Sequence, residues 1–123
     1  MKTALCAAAL SLLMSMAAQA YEVETGPVVL CDTQKQAERF VQLFNDNQEA
    51  AIGAVNAEEG NPSACAIIEV AYVEGDPLGI ERTISHAFRI TPVAVVAMKT
   101  PTGFQQVAPV VFFTPVQVKE YAV

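Results

Sequence analysis

The spacing of apolar and polar positions divides the chain into a front part with helical periodicity and a rear part with strand character. After Gly26-Pro27, the residues Val28-Val29-Leu30-Cys31 form a short continuous apolar run, the pattern of a buried strand. Polar residues end it abruptly. Asp32 or Thr33 is placed to cap a helix in which Ala37, Phe40, Val41 and Phe44 fall at helical spacing and Leu43 widens the stripe. Gln34, Lys35, Glu38, Arg39 and Gln42 take its other face. Asn45-Asp46-Asn47 interrupts the pattern, and Asp46 with Glu49 three residues later has the form of a capping box. The second helix it starts carries Ala50, Ala51, Ala54, Val55 and Ala57 and stops near Gly60, because Pro62 prevents continuation.

Beyond Pro62 the period changes. Ala64 to Val73, with Ile67, Ile68, Val70, Tyr72 and Val73, predicts a strand that ends in the turn cluster Gly75-Asp76-Pro77-Leu78-Gly79. Ile80 to Ser85 alternates and predicts a short exposed strand. Phe88 to Met98 is a long apolar run, Thr100-Pro101-Thr102-Gly103 turns the chain back, and Phe104 to Phe113 completes a hairpin. Pro109 and Pro115 lack an amide donor, so they are expected at edges or bulges and divide the last stretch before Val116 to Val118. These elements predict an α+β fold, a helical pair packed on a mainly antiparallel sheet of four to six strands.

The first 20 residues read differently from the rest. Met1-Lys2-Thr3 supplies a positive start, Ala4 to Met14 is apolar, and Ala18-Gln19-Ala20 is a small-residue cleavage site before Tyr21, the pattern of a secretory signal peptide. Its apolar part is too short to span a bilayer, and no stop-transfer helix is predicted downstream. Removing 20 of the 123 residues leaves one globular domain over 21–123, without internal repeats or linkers. Loss of Lys2 takes the formal charge from −6 to −7. A chain this acidic repels nucleic acid and anionic lipid head groups, so neither is an expected partner and no membrane insertion is expected after cleavage.

Export changes the reading of the cysteines. Cys6 leaves with the signal, and Cys31 and Cys65 remain as one pair in an oxidising compartment, which predicts a disulfide. Cys31 ends the first strand and Cys65 begins the strand after the helices, so the bridge pins the helical insert at its base. Two free thiols or a two-cysteine metal site are the competing readings; metal is disfavoured by the single histidine and the lack of a C-x-x-C spacing. The stretches Leu30-Cys31-Asp32-Thr33-Gln34-Lys35-Gln36-Ala37-Glu38-Arg39-Phe40 and Val55-Asn56-Ala57-Glu58-Glu59-Gly60-Asn61-Pro62-Ser63-Ala64-Cys65 resemble small exported proteins of Gram-negative bacteria. That resemblance supports the pairing of the cysteines and carries no catalytic residue.

Candidate chemistry is sparse. His86 follows Ser85 directly, and extended neighbours point to opposite faces, so the two do not form a nucleophile and base. His86 therefore reads as a partly exposed structural residue, with a pH-sensing role as its alternative. Glu58 and Glu59 oppose the dipole at a helix C-terminus. Glu74, Asp76 and Glu81 surround a turn but lack the spacing of a calcium loop. Neither a phosphate-cradling glycine loop nor a G-x-S-x-G elbow is present, and no cofactor is expected.

A binding surface is the stronger expectation. Phe112 and Phe113 must point to opposite faces of a strand, so at least one lies in a second buried layer or is exposed. An exposed one, beside Val110, Val111 and Val116, would form an apolar patch for a partner. Arg82 and Arg89 on neighbouring strands would form a small cationic site for a carboxylate, in competition with pairing to Glu69, Glu74 or Glu81. The expected interaction surface is thus Phe112, Phe113, Val110, Arg82 and Arg89, on a small acidic periplasmic or secreted module that binds a protein partner without catalysis. Two alternatives stand beside it. One is a carboxylate-dependent hydrolase of the cell envelope using Glu58, Glu59, Glu69, Glu74 or Asp76. The other is an inhibitor of a basic wall-degrading enzyme, which the negative charge would steer toward its target.

Overall fold

A computed structural model describes residues 22–118; the expected signal peptide, its expected cleavage site before Tyr21 and Cys6 lie outside these residues. The described chain runs β1 (Glu24–Cys31), α1 (Gln34–Leu43), α2 (Gln48–Glu59), β2 (Cys65–Glu74), β3 (Gly79–Arg82), β4 (Ala87–Thr100) and β5 (Gly103–Gln117). The fold is α+β, two helices on a five-stranded antiparallel sheet. None of these helices is long and apolar enough to cross a membrane.

Local chemistry explains the helix ends. Thr33 is the cap of α1: its Oγ1 accepts the Gln36 N–H at 3.2 Å, and Gln36 Oε1 accepts the Thr33 N–H at 3.0 Å. That reciprocal box satisfies two donors that the first helical turn leaves without partners. The second cap lies one residue later than the sequence pattern predicts. Asp46 has φ 60°, a left-handed conformation incompatible with the extended backbone of a cap. Asn47 is extended, and its Oδ1 accepts the Ala50 N–H at 3.0 Å. Gly60, at φ 63°, closes α2 in the left-handed conformation that glycine adopts without steric cost.

The sheet order is β2-β1-β5-β4-β3, and β2 also pairs with β4. The sheet therefore curls into a ring of β1, β2, β4 and β5, with β3 appended. One edge of β4 carries β5, and the other carries β3 along Ala87–Ile90 and β2 along Val93–Met98. Curling follows from the sequence of β1, whose Val28 to Cys31 run is apolar on both faces and requires cover on both. Val29 and Cys31 join Cys65, Phe88 and Ile90 beneath Ala37, Phe40, Val41, Ala51 and Val55 of the helices. Leu30 faces the inside of the curl with Val70, Tyr72, Val93 and Val95. The rear of the sheet thus covers itself.

β5 is one continuous strand, not the two segments that its prolines suggest. Pro115 lies opposite Ile90, and the Ile90 carbonyl accepts the Leu78 N–H at 2.8 Å on the other edge of β4. Ile90 and Pro115 are therefore a non-hydrogen-bonded pair, and the ladder asks no amide of the proline. Pro109 sits where the β4–β5 register shifts, between the pairs Val95–Val110 and Ala97–Gln106. Gly75 marks another close approach: its N–H donates to Pro92 O at 2.8 Å, and a Cβ there would lie 3.1 Å from Pro92 Cγ.

Cys31 and Cys65 form the disulfide, directly opposed across β1 and β2 with Cα atoms 4.1 Å apart. The adjacent Asp32 N–H donates to Ala64 O at 2.9 Å, which makes the cysteines a non-hydrogen-bonded pair, the position where cross-strand side chains are nearest.

Tyr72, inside the curl, lies opposite Glu24 of β1. Burial, then a hydrogen bond to the Glu24 carboxylate, then the charges of Glu24 and Glu74 push its hydroxyl up to about 12 from 10.0. The folded value is raised, so this contribution to stability is complete below the unfolded pKa of 10 and is lost as pH climbs from there through about 12. Tyr72→Phe removes it. Urea unfolding at pH 8, 10 and 11.5 is expected to show wild type losing stability relative to Tyr72→Phe chiefly between pH 10 and 11.5; parallel curves would contradict the assignment.

Candidate functional site

The β3–β4 connection, Thr83 to His86, meets the α1–α2 connection at one end of the molecule, and His86 links them. Its backbone closes the strand turn, because the Thr83 N–H donates to His86 O at 2.8 Å and the His86 N–H donates to Thr83 Oγ1 at 3.1 Å. Its side chain fixes the turn to the rest of the fold. Nε2 lies 3.1 Å from Asp46 Oδ1, and the ring stands edge-on to Phe44 with centroids 5.0 Å apart. Nδ1 lies 3.4 Å from Nε2 of Gln117. In the tautomer that carries its proton on Nε2, the ring donates to Asp46 while Nδ1 accepts from the Gln117 carboxamide nitrogen, which only donates. The imidazole is 13% exposed and the Asp46 carboxylate 77% exposed, so the pair runs from the interior to the surface.

Two features flank this pair. Ile84, between the two restrained ends of the turn, is fully exposed. Beside Asp46 opens a cavity of about 350 Å³, walled by the rings of Phe40, Phe44 and Phe88, with Pro115 at its side and Asp46, Gln48 and Gln117 as polar groups. The rings hold one another: Phe44 and Phe88 meet edge to face at 5.2 Å, and Phe40 and Phe88 at 6.3 Å. Asp46 holds its place in a left-handed conformation that an aspartate tolerates better than most residues.

The residues expected to form an interaction surface are distributed differently. Phe112 and Phe113 do point to opposite faces, and both are half-buried, Phe112 inside the curl and Phe113 beneath the helices. The exposed apolar side chains nearby are Val110 and Val111. Arg89 lies opposite Ile80, and Arg82 is two residues further along β3, so the two arginines share a face, the one away from the helices. Glu81 takes the other face with Phe88. The arginines do not adjoin Val110: Arg89 pairs with Val116, six residues along β5, or about 20 Å at strand rise.

The carboxylates proposed for hydrolysis lie on α2 (Glu58, Glu59), on β2 (Glu69, Glu74) and in the β2–β3 turn (Asp76). Glu58 receives Arg39 Nε and Nη2 at 2.8 Å each, a bidentate clasp between α1 and α2. That hydrogen-bonded guanidinium holds the Glu58 carboxyl below the usual carboxylate range. Glu69 lies 3.6 Å from Lys99 Nζ. Among the described residues no group of three or more His, Cys, Asp or Glu is gathered to hold a metal ion.

Sequence reasoning placed His86 alone and took Asp46 for a helix cap. The one available sign was the run Asn45-Asp46-Asn47, where three residues tolerant of left-handed backbone compete for one cap position. No protein-family model, curated protein or solved structure matches the chain.

Proposed function

We propose that the protein is a small, acidic, periplasmic or secreted binding module, without catalysis of its own, that engages a protein partner through the turn carrying Ile84. The observation that carries this reading is the presentation of that side chain: a fully exposed isoleucine on a turn closed at both ends and anchored through His86. An exposed isoleucine contributes nothing to its own fold. Buried in a partner's pocket it would contribute about 1.5–3 kcal/mol, and a turn already ordered spares most of the entropy cost of docking. Leu78 and Ile80, half-exposed on the same arm, extend the apolar contact. The disulfide supports an oxidising location, and the leader-like first 20 residues support export.

Ile84→Ser is expected to leave the melting temperature within about 1 °C, because the side chain has no contacts to lose. It is also expected to abolish the capture of envelope proteins that bind immobilised wild type. Equal capture by both proteins at equal stability would overturn the reading. Charge favours one form of it, inhibition of a basic wall-degrading enzyme, since the formal charge of −7 that follows from −6 on loss of Lys2 with the leader would steer encounter with a cationic target. Dose-dependent inhibition of a basic lysozyme that Ile84→Ser loses would support that form, and absence of inhibition would remove it.

A further inference from the structure

We infer that the cavity beside His86 is a socket for an organic cation, specifically a guanidinium or ammonium group on an aliphatic stem, as a basic side chain of the partner would present it. The inference rests on the binding reading above, but its chemistry is separate from Ile84.

The cavity, at about 350 Å³, has the size of a small ligand pocket. Three phenylalanine rings wall it, and a guanidinium plane or ammonium group is attracted to aromatic faces while its methylenes pack against them. The polar groups around it are acceptors or carry acceptors. Asp46 has one carboxylate oxygen engaged by His86 and the other free of that contact. Gln117 commits Nε2 to His86, which leaves Oε1 to accept, and Gln48 adds a second carboxamide oxygen.

Charge decides the sign of the ligand. The C-terminal end of α1 and the N-terminal end of α2 meet at this turn, so their partial charges of opposite sign largely cancel. The Asp46 carboxylate is then the dominant local charge, and Glu49 in the first turn of α2 has the same sign. Among the described residues no lysine or arginine lines the cavity. An anion would meet the Asp46 carboxylate, and a neutral apolar ligand would leave the carboxylate oxygen that does not face His86 unused at its border.

Two isosteric probes test this, N-acetyl-arginine amide and its uncharged citrulline counterpart, titrated into isotope-labelled protein and followed by amide and side-chain NMR shifts. The arginine probe is expected to give saturable shifts at Phe44, Asp46, Gln48 and Gln117, and the citrulline probe to bind at least tenfold more weakly. Asp46→Asn keeps an oxygen for His86 Nε2–H and tolerates the left-handed backbone, so it is expected to fold normally and lose that preference. Ile84→Ser is expected to bind the arginine probe as wild type does. Equal binding of both probes, retention of the preference in Asp46→Asn, or shifts centred elsewhere would overturn the socket. If Ile84→Ser loses partner capture while the arginine probe fails to bind, the socket falls and the binding module stands.

Discussion

Replacing Cys31 and Cys65 together by alanine is expected to lower the melting temperature by roughly 12–30 °C, the largest effect of any change considered for this protein. The bridge joins residues separated by 34 in sequence, and the closed loop contains both helices. In the chain-entropy model, confining a loop of that length in the unfolded state stabilises the fold by about 3–4 kcal/mol. For a domain of about 100 residues, each kcal/mol moves the midpoint by about 4–8 °C. Both cysteines are completely buried between the sheet and the helices, so the alanine variant also loses contacts of the two sulfurs. Calorimetry of oxidised protein, reduced protein and the double variant separates the two effects, since reduction removes the crosslink and keeps the sulfur atoms. Oxidised and reduced protein melting within about 2 °C of each other would mean that packing of Phe40, Val41 and Val55 and the polar contacts of the helices hold the helical insert without the crosslink.

The helical insert and its staple were legible because their signals are local. Thr33 and Gln36 are three residues apart and cap α1 by chemistry that needs no tertiary knowledge. Gly60 stops α2 for the same kind of reason, and the cysteines sit at the two ends of the insert. What the sequence pattern misjudged depends on pairing. Pro115 breaks a strand only if its nitrogen faces the partner, and here it faces away because Ile90 directs its carbonyl to Leu78. The parity of a ladder is invisible until the register is known. Phe112 and Phe113 were correctly assigned to opposite faces. Their fate turned on closure of the ring through the β2–β4 pairing, which converts a rear face into an interior. The Asp46–His86–Gln117 chain is the extreme case: three polar residues from two connections and the end of β5, with no periodicity to link them.

Asn56→Ala is expected to cost about 2–4 kcal/mol, the second large effect, although the residue is only half-buried. The reason lies in the strand beneath it. Because Cys31 and Cys65 are a non-hydrogen-bonded pair, the N–H and C=O of Cys65 point away from β1, toward the other edge of β2. On that edge the pairing with β4 begins at Val70, so no strand reaches Cys65. The Asn56 carboxamide takes the strand's place: Oδ1 accepts the Cys65 N–H at 2.8 Å, and Nδ2 donates to Cys65 O at 3.0 Å and to Pro62 O at 2.9 Å. Alanine leaves both backbone groups of a completely buried residue without partners, at about 1–3 kcal/mol each before relaxation. Asn56→Asp is expected to be at least as damaging at neutral pH, since it sets a carboxylate oxygen against two carbonyl oxygens. Urea unfolding measures both, and a cost below about 0.5 kcal/mol for alanine would show that water substitutes for the carboxamide. The amide and the disulfide act on the same residue from opposite sides of β2. Their combined loss is therefore expected to differ from the sum of the separate losses by about 0.5 kcal/mol or more in a double-mutant cycle. The coupling reports whether α2 is held to the sheet by one cooperative joint at Cys65 or by two independent ones.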